Sequence, residues 1–175
     1  MSELTRRELF IAFGATGLLH GASYTPRFFT PHEYAAVQLL ADFIIPADEN
    51  SKGAMDAGAA EFIDFVCSHS DRNGGYCRYN LGWIDGQMQS RYGADFTEAA
   101  RDEQIAFLDL LAYRKNSTAL ISTGVDFFSY FRGLVVDAYY TSPVGIADIG
   151  YMGNQELDSF IVPAEAVQYA LARSP

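Results

Sequence analysis

Residues 122–140 read STGVDFFSYFRGLVVDAYY, and this stretch decides the fold. Val125, Phe127, Phe128, Phe131, Leu134, Val135 and Val136 crowd it. A segment so apolar predicts a long helix at the centre of a bundle, since a helix at the surface keeps one polar face.

Working outward, the segments before it carry narrower apolar stripes. In 98–113 the stripe is Ile105, Leu108 and Leu111, with Phe96-Thr97 as staple and cap. Residues 76–92 point Leu81, Ile84 and Met88 inward with Trp83 near them, after a polar, glycine-bearing turn at 71–75. Residues 55–69 place Ala59, Phe62, Ile63 and Val66 on one face. The first helix opens at Thr30-Pro31-His32-Glu33, where Thr30 caps, Pro31 needs no N–H and Glu33 completes a capping box. It continues through Tyr34, Val37, Leu40, Ala41 and Ile44, and Pro46 ends it. After the central helix, residues 141–154 change character, mixing Pro143, Gly145, Gly150 and Gly153 with Val144, Ile146, Ile149, Tyr151 and Met152. No segment alternates as a strand does. The expected fold is all-α, a single small bundle of about five helices with a long irregular C-terminal segment, over residues 28–175.

Composition narrows the functions open to such a bundle. Hydrophobic residues make up 49% and charged ones 19%, so 175 residues can bury one sizeable core. Twelve Lys and Arg face 22 Asp and Glu, a net charge of −10. That balance lacks the basic footprint of a nucleic-acid binder and disfavours docking on anionic lipid. Aromatic residues are plentiful, with 13 Phe and 11 Tyr, and Tyr and Phe are favoured at protein interfaces.

Residues 1–27 read as a separate unit. Arg6 and Arg7 precede about ten apolar residues and then Gly21-Ala22-Ser23, the layout of a twin-arginine export signal followed by a linker. The apolar run falls short of the roughly twenty residues that span a bilayer. The alternative is an ordinary first helix, which Gly14, Thr16 and Gly17 would weaken.

Motifs that carry chemistry are scarce. No Glu is followed three residues later by His, as a di-iron bundle needs. His32-Glu33 does not extend to H-E-x-x-H, and phosphate-binding glycine loops are absent. Two cysteines are too few for a thiolate-held iron–sulfur cluster within the chain. Cys67 and Cys77 leave three readings open: ligands of a metal together with His69, a disulfide closing the 68–76 turn in an oxidising compartment, or two buried thiols.

Several blocks in order resemble the gluconate 2-dehydrogenase subunit 3 family. They are Phe28-Phe29-Thr30-Pro31-His32-Glu33, Leu39-Leu40-Ala41-Asp42-Phe43-Ile44-Ile45-Pro46, Gly53-Ala54-Met55-Asp56-Ala57-Gly58 and Glu61-Phe62-Ile63-Asp64. Tyr139-Tyr140-Thr141-Ser142-Pro143-Val144-Gly145 and Gly150-Tyr151-Met152-Gly153 look like a second signature, so the resemblance covers about residues 28–155. It implies a non-catalytic small subunit of a periplasmic dehydrogenase for sugars, sugar acids or the 3-position of glucosides. The expected partner is a large catalytic subunit of glucose–methanol–choline type that binds FAD, with no cofactor in this chain. A cytochrome c subunit is expected to take the electrons onward and to hold the complex at the membrane. The small subunit would help its partner mature and escort it through the twin-arginine translocase.

The surface expected to meet that partner is the apolar, glycine-punctuated segment with Tyr139, Tyr140, Val144, Ile146, Ile149, Tyr151, Met152 and Asn154. The same segment could instead fold back over its own bundle. Two other functions stand beside the subunit reading. One is a self-standing periplasmic binding module with a pocket lined by Trp83, Phe127 and Phe131. The other is a small metal-dependent enzyme built on Cys67, His69 and nearby carboxylates.

Overall fold

The computed structural model describes residues 24–153 and 162–173. Over these residues the chain forms α1 (Pro31–Ile44), α2 (Ala59–Ser68), α3 (Asp71–Tyr92), α4 (Arg101–Ala112), α5 (Ser122–Thr141), α6 (Pro143–Asp148) and α7 (Ala164–Leu171), with a 3-10 turn at Arg114–Asn116. There is no strand among the described residues, and the fold is all-α. No helix there is long and apolar enough to cross a membrane.

The apolar density of 122–140 has the consequence it predicts. α5 packs against α1, α2, α3, α4 and α6, and Val125, Phe127, Phe131, Val135 and Ala138 are buried along it. Around it Val37, Leu40, Ile63, Leu81, Ile84, Met88, Phe107 and Leu111 close one continuous core. α7 has no buried residue.

The start of α1 is held as its sequence predicts, and then further. Thr30 Oγ1 accepts from the Glu33 N–H at 3.2 Å, and Glu33 Oε2 accepts from the Thr30 N–H at 2.8 Å. Glu33 Oε1 also accepts from Arg78 Nε of α3 at 2.9 Å, while the same guanidinium donates to the Phe28 carbonyl at 2.7 Å and lies over the Phe28 ring. His32 Nε2 meets Asp85 Oδ2 at 2.8 Å, and Asp85 Oδ1 accepts from the Phe96 N–H at 3.0 Å. The block Phe28–Glu33 is therefore a junction fastening the head of α1 to α3.

A second junction rests on a buried carboxylate. Asp64 in α2 is inaccessible to solvent and accepts from the N–H groups of Arg27, Phe28 and Phe29 at 2.8, 3.1 and 3.0 Å. Tyr24 donates its phenol hydrogen to the same carboxylate. A charge buried in this way needs such partners, because desolvation otherwise costs several kcal/mol.

Four boundaries differ from the sequence expectation. α3 begins at Asp71, so residues 71–75 are helical rather than a turn; Ser70 Oγ accepts from the Asn73 N–H and caps it. α2 begins at Ala59 rather than 55, because Gly58 sits left-handed at φ 73° and ends a compact turn. α4 begins at Arg101 rather than 98, with Glu103 accepting from the Ala100 N–H. There Ile105 faces out, and the polar Gln104 is buried instead, donating to the Phe96 carbonyl at 2.6 Å. The fourth difference is α6, a short helix inside the segment read as irregular.

Candidate partner-binding surface

The surface is built where α5 hands over to α6. Ser142 ends one helix and caps the next: its Oγ donates to the Tyr139 carbonyl at 2.7 Å and accepts from the Gly145 N–H at 3.1 Å. Pro143 follows at the first helical position, where no N–H is needed. The turn is tight enough that a Cβ at position 145 would lie 2.1 Å from the Tyr139 carbonyl oxygen, so only glycine fits.

The far end of α6 stops just as sharply. Gly150 adopts φ 60°, its N–H reaches the Ala147 carbonyl at 3.1 Å, and the Tyr151 N–H reaches the Ile146 carbonyl at 3.1 Å. This is a Schellman stop, and it turns Tyr151 back beside Ile146.

These constraints sort the residues expected at the partner surface. Tyr140, Ile146, Ile149, Tyr151 and Met152 are exposed, Met152 at 85%. Val144 is half-buried. Tyr139 is not part of the surface: it is 1% exposed, and its hydroxyl donates to the Lys52 carbonyl at 2.9 Å and shares a hydrogen bond with Ser51. Burial pushes its phenol pKa up. The adjacent Tyr140 packs edge-on against the Tyr139 ring and faces outward. Asn154, Arg6 and Arg7 lie outside the described residues. One neighbour was missed by sequence reading: Val136, one turn before Tyr140 on α5, is also exposed. Its signal is the i, i+4 spacing from Tyr140, beside the exposed Asp137.

The other candidate residues take structural places. Phe127 and Phe131 are 1% and 0% exposed and pack on each other, filling the core rather than lining a pocket. Trp83 packs on Phe107. His69 does not converge with the cysteines: its ring stacks on Phe65, its Nδ1 contacts the Phe65 carbonyl, and it faces solvent. Among the described residues no group of three His, Cys, Asp or Glu side chains is arranged to hold a metal ion. Cys67 and Cys77 are buried free thiols.

What the α5–α6 junction offers is a ridge of apolar and aromatic side chains on a rigid turn. Such a ridge binds by burial. The family model for gluconate 2-dehydrogenase subunit 3 matches residues 31–158, well over half of the chain. No curated protein and no solved structure matches it.

Proposed function

Because this chain belongs to the gluconate 2-dehydrogenase subunit 3 family, a family of dehydrogenase-complex subunits, we propose that it is the non-catalytic small subunit of a periplasmic FAD-dependent complex. The complex oxidises a sugar, a sugar acid or the 3-position of a glucoside, and a large flavoprotein of glucose–methanol–choline type does the chemistry. The single observation that carries the binding role is the exposed ridge Tyr140, Ile146, Ile149, Tyr151 and Met152, fixed by the Ser142 cap and the Gly150 stop. A solitary domain gains nothing from holding these side chains rigidly in water, whereas a partner that covers them gains apolar burial at little ordering cost.

The mechanism is linkage. Binding only the folded, FAD-loaded large subunit shifts that subunit's folding equilibrium toward the loaded state. FAD belongs to the partner in this reading, as the family resemblance implies for the small subunit of such a complex. Arg6 and Arg7 serve the twin-arginine translocase on behalf of both chains, and a cytochrome c subunit accepts the electrons.

The test is co-expression with a candidate large flavoprotein, purification through a tag on this chain, and flavin absorbance of the eluate. Support is a co-eluting FAD protein whose dye-linked sugar oxidation disappears when this chain is omitted. A colourless chain eluting alone while the flavoprotein is active without it overturns the reading.

A further inference from the structure

The apolar ridge at the α5–α6 junction also carries charge, and of one sign. From residue 133 to residue 172 the sequence holds Asp137, Asp148, Glu156, Asp158 and Glu165 and no Lys or Arg. Two of these stand among the ridge side chains. Asp137 follows Val136 and precedes Tyr140 by three residues on α5, and Asp148 lies between Ile146 and Ile149 on α6; both are exposed. The loop that Tyr139 fastens through the Lys52 carbonyl and the Ser51 hydroxyl adds Asp48 and Glu49, also exposed. Asp48 is fixed there, its Oδ1 accepting from the Asn50 and Ser51 N–H groups at 2.8 Å. Among the described residues none of these four carboxylates is in an ion pair. The cations at the margin are Lys52 in that loop and Arg132, one turn before Val136.

This charge narrows what can cover the ridge. A second copy would bring Asp137 and Asp148 against their own counterparts, and anionic lipid or nucleic acid meets the same repulsion. A face that covers Ile149 must also take the neighbouring Asp148, and a carboxylate enclosed by apolar surface needs a cation or several donors. On the subunit reading above, on which this step rests, we propose that the large subunit meets the ridge with an apolar pocket edged by Arg and Lys side chains, and that the acidic edge steers the two chains together. Each group acts at its own stage. Ile146, Ile149, Tyr151 and Met152 lose water in the complex and set how long it lasts. The carboxylates act before contact, through a field that reaches about 10 Å at about 0.1 M salt, and set how often it forms.

The full chain is immobilised through a tag, and the flavoprotein that co-elutes with it is passed over at about 50 to about 500 mM sodium chloride, with association and dissociation recorded separately. The association rate is expected to fall at least about tenfold across that range, while dissociation changes little. Asp137→Lys/Asp148→Lys is expected to slow association at low salt by about tenfold or more and to flatten its salt dependence. Its melting temperature should not change, since both side chains are exposed. Asp102→Lys/Asp109→Lys makes the same change in net charge on α4, whose Leu111 meets α5 at Gly124, at the end away from the ridge. That variant is expected to slow association much less. Association that ignores salt, rises with salt, or is unaltered by the ridge reversal overturns the basic edge and leaves the subunit reading standing. Equal slowing by both reversals overturns it too, because net charge and not the ridge then steers. A dimer of this chain that Ile149→Asp/Met152→Asp separates overturns the choice of partner. A flavoprotein active with none of this chain bound at any salt removes the subunit reading itself, and the basic edge with it.

Discussion

Tyr24 donates its phenol hydrogen to the carboxylate of Asp64 across 2.7 Å, joining the first described residue to the middle of α2 over 40 positions of sequence. The same carboxylate gathers three backbone N–H groups from Arg27, Phe28 and Phe29. Asp64→Ala leaves those donors unpaired, and burial makes their loss expensive. The expected cost is about 3 kcal/mol in urea unfolding, against about 1 kcal/mol for Tyr24→Phe, which removes one donor at the half-open edge. Equal costs for the two variants would show that the backbone donors find other partners.

The His32–Asp85 pair gives the protein a shallow pH dependence. The Asp85 hydrogen bond raises the His32 pKa above its ordinary value of 6.5, with Asp85, Asp95 and Glu98 adding in the same direction and partial burial opposing. A raised folded pKa means the stabilisation is fully present below the unfolded value and is lost as pH rises through the folded one. The His32 side chain is 45% exposed, so solvent screening holds the effect below about 1 kcal/mol. Unfolding free energy is expected to fall slightly above pH 6.5 relative to His32→Gln, in which that step is absent.

Gly145→Ala tests the tight turn. The added methyl meets the Tyr139 carbonyl oxygen, which is already committed to the Ser142 N–H and hydroxyl, so α6 must move. We expect a loss of about 2–4 kcal/mol and faster amide exchange at Ile146 and Tyr151, with the α1–α5 core amides still protected. Unchanged exchange in α6 would mean the turn accommodates the methyl.

Ile149→Asp and Met152→Asp separate folding from binding. Both side chains are exposed, at 56% and 85%, so unfolding free energy should move by less than about 0.5 kcal/mol. Retention of the flavoprotein partner should drop at least about tenfold for the pair, since a charge placed in a covered apolar patch is desolvated. Full retention by the double variant would exclude this ridge as the contact.

Tyr139 and Tyr140 show how much of the surface was legible. Their sequence context is the same, and both fit an interface equally well on residue type. One step along α5 turns the side chain by about 100°, which sends Tyr139 under the 51–52 loop and Tyr140 into solvent. The charged residues Asp126, Arg132 and Asp137 mark the solvent face of α5, and Tyr140, three residues after Asp137, falls on it. The 71–75 segment misled for a different reason: its glycines read as a turn, but Gly74 is there to admit Phe28 and the Cys67 carbonyl.

By itself the sequence determined what is written within a few neighbouring residues. Helical spacing of apolar side chains, the Thr30–Glu33 capping box, the arrest at Pro46 and the saturation of 122–140 set the helical class and the central helix, because each is a local preference repeated at every turn. The tertiary structure decided everything that depends on two distant segments meeting. Asp64 became the anchor of residues 24–29, and Arg78 and Asp85 became the fasteners of α1. No local pattern encodes these, since a carboxylate or a thiol looks alike in sequence whether it faces water or a buried partner. Only packing removes the water, and with it the indifference of a polar group to its neighbour.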